Sequence, residues 1–207
     1  MSPSHYLGFD PGGTVAGTGV ALLTIGEEAP HCVTDCVGSV DEAFKWSLDR
    51  LAGQAPNAAG LDTFLFWETG RGGWRAPDAW LRKRYVAVRS SVLSSNSAHG
   101  SMSIQGMSLA MLIRARWPQV DLIETHPKVL YWALTAQRYD WSSDMAIWLR
   151  NQMDCLTAEI ANEHCCDAAL SAWAALKGHT GCWKRDLREL SPAPVEPAGK
   201  CAYWWPE

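Results

Sequence analysis

The 207 residues are 47% hydrophobic and 19% charged, with a net charge of −4. That composition excludes a disordered chain and suffices for one domain with its own core. It also excludes the broad basic footprint of a general nucleic-acid binder, and no apolar run reaches the ~18 residues that span a bilayer, so no membrane partner is expected.

Residues 5–10, His-Tyr-Leu-Gly-Phe-Asp, read as a short strand that ends on an acid. Pro11-Gly12-Gly13-Thr14 is a turn, because Pro presets one backbone angle and Gly supplies the positive one. Residues 18–25 give the returning strand and 31–38 a third, so the chain opens as an antiparallel meander. Ser39 and Asp41 offer N-cap chemistry to a helix that runs to about residue 53, with Phe44, Leu48 and Leu51 at helical spacing. After a polar turn at 54–60, residues 62–68 (Asp-Thr-Phe-Leu-Phe-Trp-Glu) form a nearly continuous apolar run, the pattern of a central strand buried on both faces, again ending on an acid.

A Gly/Arg loop follows at 70–75, then helical patterns at 77–88 and 103–116 with a Ser-rich loop at 90–101 between them. Residues 119–125 read as a strand, and helices are expected at 127–135, 143–161 and 163–177. Residues 179–207, with four prolines, read as an irregular tail to a domain spanning 1–178. Helical connections make the later strands parallel neighbours of the first. The expected fold is α/β: a five-stranded mixed sheet, three antiparallel strands plus two parallel, flanked by helices.

Seven cysteines cannot all pair within one chain, and Met1–His5 shows neither the basic segment nor the apolar block of an export signal, so a cytoplasmic location is expected. His31, Cys32 and Cys36 raise zinc, but no second ligand pair follows at finger spacing. Asp10 and Glu68 end neighbouring strands in this reading, and two carboxylates side by side need a counter-charge, for which Mg²⁺ or Mn²⁺ is the natural choice. Asp167 is the third acid, on a helix whose Ala-rich face permits close approach to the sheet; His164, three residues earlier, shares its face. Glu124 is either a further ligand or a cap for the helix beginning near Pro127, and His126 reads as structural. Arg71, Arg75, Arg82, Lys83, Arg84 and Arg89, against Asp78 alone, make a basic stripe that is either a solvated helix face or a nucleic-acid contact. Trp74, among glycines and arginines, is the tryptophan suited to stacking on a base or a sugar.

Three short patches resemble the RNase H-like superfamily, within it the RuvC-type resolvases and an uncharacterised family of predicted RNase H-like nucleases: Gly8-Phe9-Asp10-Pro11-Gly12-Gly13-Thr14, Phe66-Trp67-Glu68, and His164-Cys165-Cys166-Asp167-Ala168. Ile123-Glu124-Thr125-His126-Pro127 resembles the fifth-strand end of the latter family. The resemblance implies a nuclease hydrolysing phosphodiester bonds of DNA or RNA with two metal ions. Asp10 would bridge them, Glu68 and Asp167 would each hold one, His164 would orient or activate water, and Arg71 and Arg75 would hold the scissile phosphate. A homodimer would suit a resolvase of four-way junctions.

Two other readings remain open. Asp10-Pro11-Gly12-Gly13-Thr14 also resembles the first phosphate loop of the actin-like sugar-kinase superfamily, which implies a phosphotransferase or ATPase; that fold uses two such domains and no second loop is evident. A non-catalytic nucleic-acid-binding module would keep the fold and use the basic stripe.

Overall fold

The structure is a computed structural model that describes residues 3–12, 17–68, 73–95, 100–155 and 158–207. Strands β1 (Ser4–Asp10), β2 (Thr18–Ile25) and β3 (His31–Val37) form the expected meander, followed by helix α1 (Val40–Leu51). The Ser39 hydroxyl accepts from the Glu42 backbone N–H at 3.2 Å and fixes the start of α1. Next come β4 (Ala58–Leu61), β5 (Trp67–Glu68), α2 (Ala76–Arg84), α3 (Gly100–Arg116), β6 (Asp121–Glu124), α4 (Pro127–Thr135), α5 (Ser143–Gln152) and α6 (Glu163–His179). Short strands β7 (Arg185–Asp186), β8 (Pro194–Val195), β9 (Cys201–Ala202) and β10 (Trp204–Trp205) follow. None of the described helices is long and apolar enough to cross a membrane.

The main sheet has the order β3-β2-β1-β4-β6-β9. β1 pairs antiparallel with β2 and parallel with β4, and β4 and β9 flank β6 in parallel. The chain therefore has the RNase H-like mixed α/β architecture, with β1 in the middle beside β4. Two expectations are corrected. The sheet has six strands, because the stretch read as an irregular tail supplies β9 at one edge and buries Tyr203 and Trp205. The fourth strand is 58–61 rather than 62–68. In the apolar run after it, the Leu65 N–H donates to the Glu124 carboxylate and the Phe66 carbonyl accepts from Arg75. Buried backbone groups must find partners, and here charged side chains replace a neighbouring strand.

Helix α6 lies directly on the sheet. A Cβ at Gly8 of β1 would stand 2.0 Å from the Ala168 carbonyl oxygen; at Gly60 of β4 it would meet that of Ser171 at 2.1 Å, and at Gly19 of β2 that of His164 at 2.1 Å. Residues 164, 168 and 171 follow the spacing of one helix face, so the backbone of α6 crosses three adjacent strands on a floor of glycine. Residues 165–175 of α6 are all buried. Leu7 and Phe9, which alternate to the opposite face of β1, are also fully buried, so the sheet is covered on both sides.

The high tryptophan count has a packing role. Tyr139, Tyr131, Trp148, Trp173 and Trp183 form a continuous edge-to-face row, with successive centroids 5.9, 5.0, 6.4 and 5.5 Å apart. Each such pair adds about 0.5–1.5 kcal/mol beyond the area it buries.

Candidate metal centre

The parallel pairing of β1 with β4 sets Gly8 opposite Gly60 and Phe9 opposite Leu61. Asp10 closes β1, and Asp62 follows β4, its N–H donating to the Phe9 carbonyl at 2.9 Å. Asp167 comes down from α6, whose first turn is held by the Asn162 side chain accepting from the Cys165 N–H at 2.9 Å. One carboxylate oxygen from each of Asp10, Asp62 and Asp167 lies within 4.8 Å of the others, the one such group of potential ligands among the described residues. They line a cavity of about 270 Å³ whose wall includes Thr63, His126, Lys128 and His164.

Two of the three acids are braced from outside the group. His164 Nδ1 is 2.6 Å from Asp10 Oδ2, and that hydrogen bond raises the imidazole pKa despite partial burial. The Tyr139 hydroxyl donates to Asp167 Oδ1. Burial and the neighbouring charges of Asp10 and Asp167 hold Asp62 well above the usual carboxylate range. Burial and then Asp10 push Asp167 up to about 8. Lys128, a cationic side chain in the cavity wall, is already bound to Glu163 at 2.8 Å. Burial lowers His126 to about 4, so its ring is neutral at neutral pH.

Three crowded oxygen donors with too little positive charge among them fit a hard divalent cation, which prefers carboxylate oxygen and relieves the mutual repulsion. Asp10, Asp62 and Asp167 would be its ligands.

Of the acids expected from sequence, Asp10 and Asp167 come together and Glu68 does not join them. β5 pairs with β8, away from the main sheet, and the Glu68 carboxylate accepts from the Ala76 N–H at 3.1 and 3.2 Å and from the Ser191 hydroxyl. It serves the N-terminus of α2, where a negative charge is favourable. The place expected for it beside Asp10 is taken by Asp62.

Glu124 and Arg75 are also placed otherwise than expected. Arg75 is 1% exposed and spends all five guanidinium N–H groups. Two go to Asp78 at 2.8 Å, two to Glu124 at 2.5 and 2.9 Å, and one is shared with the Phe66 carbonyl at 2.9 Å. Its plane lies 4.6 and 4.3 Å from the centres of the Phe64 and Phe66 rings. A guanidinium so engaged has no free edge for a phosphate, and a carboxylate so engaged is already neutralised. Both belong to a buried ion network in the wall of the cavity. Trp74 is 42% exposed, with the Arg82 guanidinium 4.6 Å over its ring. Arg71, and Gly13 and Thr14 of the first motif, lie outside the described residues.

Sequence reasoning missed Asp62 and gave Lys128 and Tyr139 no role. A signal for Asp62 was present: Gly60-Leu61-Asp62 repeats the pattern of Gly8-Phe9-Asp10, and the two triplets pair in register.

No protein-family model matches this sequence, and no curated protein does. Among solved structures, the chain is similar to Thermus thermophilus RuvC, at 14% identity and a TM-score of 0.49, over 87% of this chain and 97% of that one.

Proposed function

We propose that this chain is a nuclease that hydrolyses phosphodiester bonds of DNA or RNA with Mg²⁺ or Mn²⁺ held by Asp10, Asp62 and Asp167. The convergence of these three acids at the ends of two parallel strands and on α6 carries the reading. A cation there would supply Lewis-acid polarisation of the phosphate and a bound water more acidic than bulk water. His164, hydrogen-bonded to Asp10, fixes that carboxylate and holds a proton at Nδ1. Tyr139 orients Asp167. Lys128 puts positive charge in the cavity wall where a phosphate would sit. The exposed ring of Trp74, backed by Arg82, offers a stacking surface for a base. A second cation, implied by the RNase H-like resemblance, needs further oxygen donors, and Glu163 lines the same cavity. The seven free thiols suit a reducing compartment such as the cytoplasm.

The test is a cleavage panel of single strand, duplex, RNA–DNA hybrid and four-way junction in Mg²⁺ or Mn²⁺, for wild type, Asp10→Asn, Asp62→Asn and Asp167→Asn. Cleavage of at least one substrate by wild type, abolished in each variant and unaffected by Glu68→Gln, is expected. Cleavage that survives Asp62→Asn overturns the ligand set. Binding without cleavage turns the reading to a non-catalytic module, and stabilisation by ATP without cleavage turns it to a phosphotransferase. Junction cleavage, if found, predicts a dimer in sedimentation.

A further inference from the structure

Resting on the cation-centre reading above, we infer that His126 Nδ1 is a nitrogen ligand for a divalent cation shared with Asp62, and that this makes the centre favour Mn²⁺ or Co²⁺ over Mg²⁺. From sequence this histidine reads as structural, at the end of the Ile123–Pro127 patch.

His126 precedes Pro127 at the start of α4, with φ −145° and ψ 77°. A proline bars the helical conformation to the residue before it, so the backbone of His126 is held outside the helix at the cavity wall. Its Nδ1 is buried and has no hydrogen-bond partner, a condition shared among the described residues only with Trp46 Nε1. A buried polar atom without a partner is costly, by about 1–3 kcal/mol, and marks a place where something else binds.

The geometry says what. Nδ1 stands 4.0 Å from Asp62 Oδ1, too far for a hydrogen bond. Two donors each about 2.1 Å from one ion stand about 3.0 Å apart when adjacent and about 4.2 Å apart when opposite, so 4.0 Å falls within the span of a shared cation. The electronic state agrees. The ring makes a backbone hydrogen bond with Ser91 of the kind that favours its protonated form, hence to the carbonyl. With Nδ1 unpartnered, Nε2 is the donor and Nδ1 keeps an unused lone pair 4.0 Å from the Asp62 carboxyl oxygen. A gap of that width beside a free lone pair fits a cation or a bridging water. Imidazole binds Mg²⁺ poorly, and affinity at mixed N/O sites rises from Mn²⁺ towards Co²⁺.

The experiment is pulsed EPR of Mn²⁺ bound to the full chain labelled with ¹⁵N-histidine, with parallel titrations of Mn²⁺, Co²⁺ and Mg²⁺. Wild type should show imidazole nitrogen coupling that disappears in His126→Gln and persists in His164→Gln. The same His126→Gln should weaken Mn²⁺ and Co²⁺ by about tenfold or more and Mg²⁺ by less. The labelled wild-type spectrum needs no variant to fold, so it decides even if His126→Gln is unstable. Absent coupling in wild-type protein that binds Mn²⁺ through Asp62 overturns the ligand and leaves a water in its place. Coupling that persists in His126→Gln also overturns it. Failure of wild type to bind any of the three ions, or binding indifferent to Asp62→Asn, defeats the cation centre itself.

Discussion

Glu124 and Asp78, and then Asp10, Asp62 and Asp167, are buried or half-buried acids that line the same cavity, yet the protein treats them differently. Between Glu124 and Asp78 it places Arg75, whose five donors are all used. Among the other three it places no built-in cation; Asp10 has His164, Asp167 has a phenol, and Lys128 is engaged by Glu163. A buried carboxylate is tolerated when its counter-charge comes with the chain. Where the chain leaves the counter-charge out and lets Asp62 and Asp167 hold protons instead, the arrangement is suited to an ion from solution.

Removing the internal cation should break the first network most severely. Arg75→Met strands two buried carboxylates and frees the Phe66 carbonyl of the 62–68 stretch; a loss of about 3–5 kcal/mol is expected in urea denaturation. Next in size is the seat of α6. Gly8→Ala or Gly60→Ala forces the helix off the sheet at a cost of about 1–3 kcal/mol and moves Asp167 from its partners, so cation affinity in calorimetry should fall with stability, which Arg75→Met and Asp167→Asn would not do together in the same way.

The open cluster has an opposite signature with pH. Asp167 sits at about 8 in the folded chain against an ordinary 3.8, so the folded state holds a proton that the unfolded chain releases in between. Stability of the metal-free protein is therefore full below about pH 4 and declines as pH rises towards 8, by at most about 1.4 kcal/mol per pH unit for this group. Asp167→Asn should flatten the profile, and saturating Mn²⁺ should reverse its slope. The smallest effect on stability belongs to the surface: Trp74→Ala should change it by no more than about 0.5 kcal/mol, while single-strand affinity drops by about 1–3 kcal/mol if the ring stacks on a base.

Much of this was legible in the sequence. Alternation and turn chemistry mark β1 to β3, and helical spacing marks α1, α3, α4 and α6 together with His164 and Asp167. The fourth strand was not, for two linked reasons. Ala58-Ala59-Gly60-Leu61 lacks the bulky residues that signal a strand, because α6 rests on it and leaves no room for them. The following run has the apolar content of a central strand, but at Leu65 and Phe66 its backbone is bonded to the Glu124 and Arg75 side chains rather than to a neighbouring strand. Hydrophobic pattern alone therefore sets the strand a few residues late and puts Glu68, not Asp62, at its end. The ion network was hidden because Arg75 and Glu124 are 49 residues apart and only the tertiary fold joins them.

The aromatic row gives the chain an optical property. It begins at Tyr139, whose hydroxyl is bound to Asp167, and continues by edge contacts through Tyr131 to Trp148, Trp173 and Trp183. Excitation energy taken up by the tyrosines passes readily to indoles at such separations, and a phenol bonded to a carboxylate is quenched. An occupant that draws Asp167 away from Tyr139 would brighten the tryptophan emission, so the protein carries its own unlabelled fluorescent gauge of whether the carboxylates are engaged.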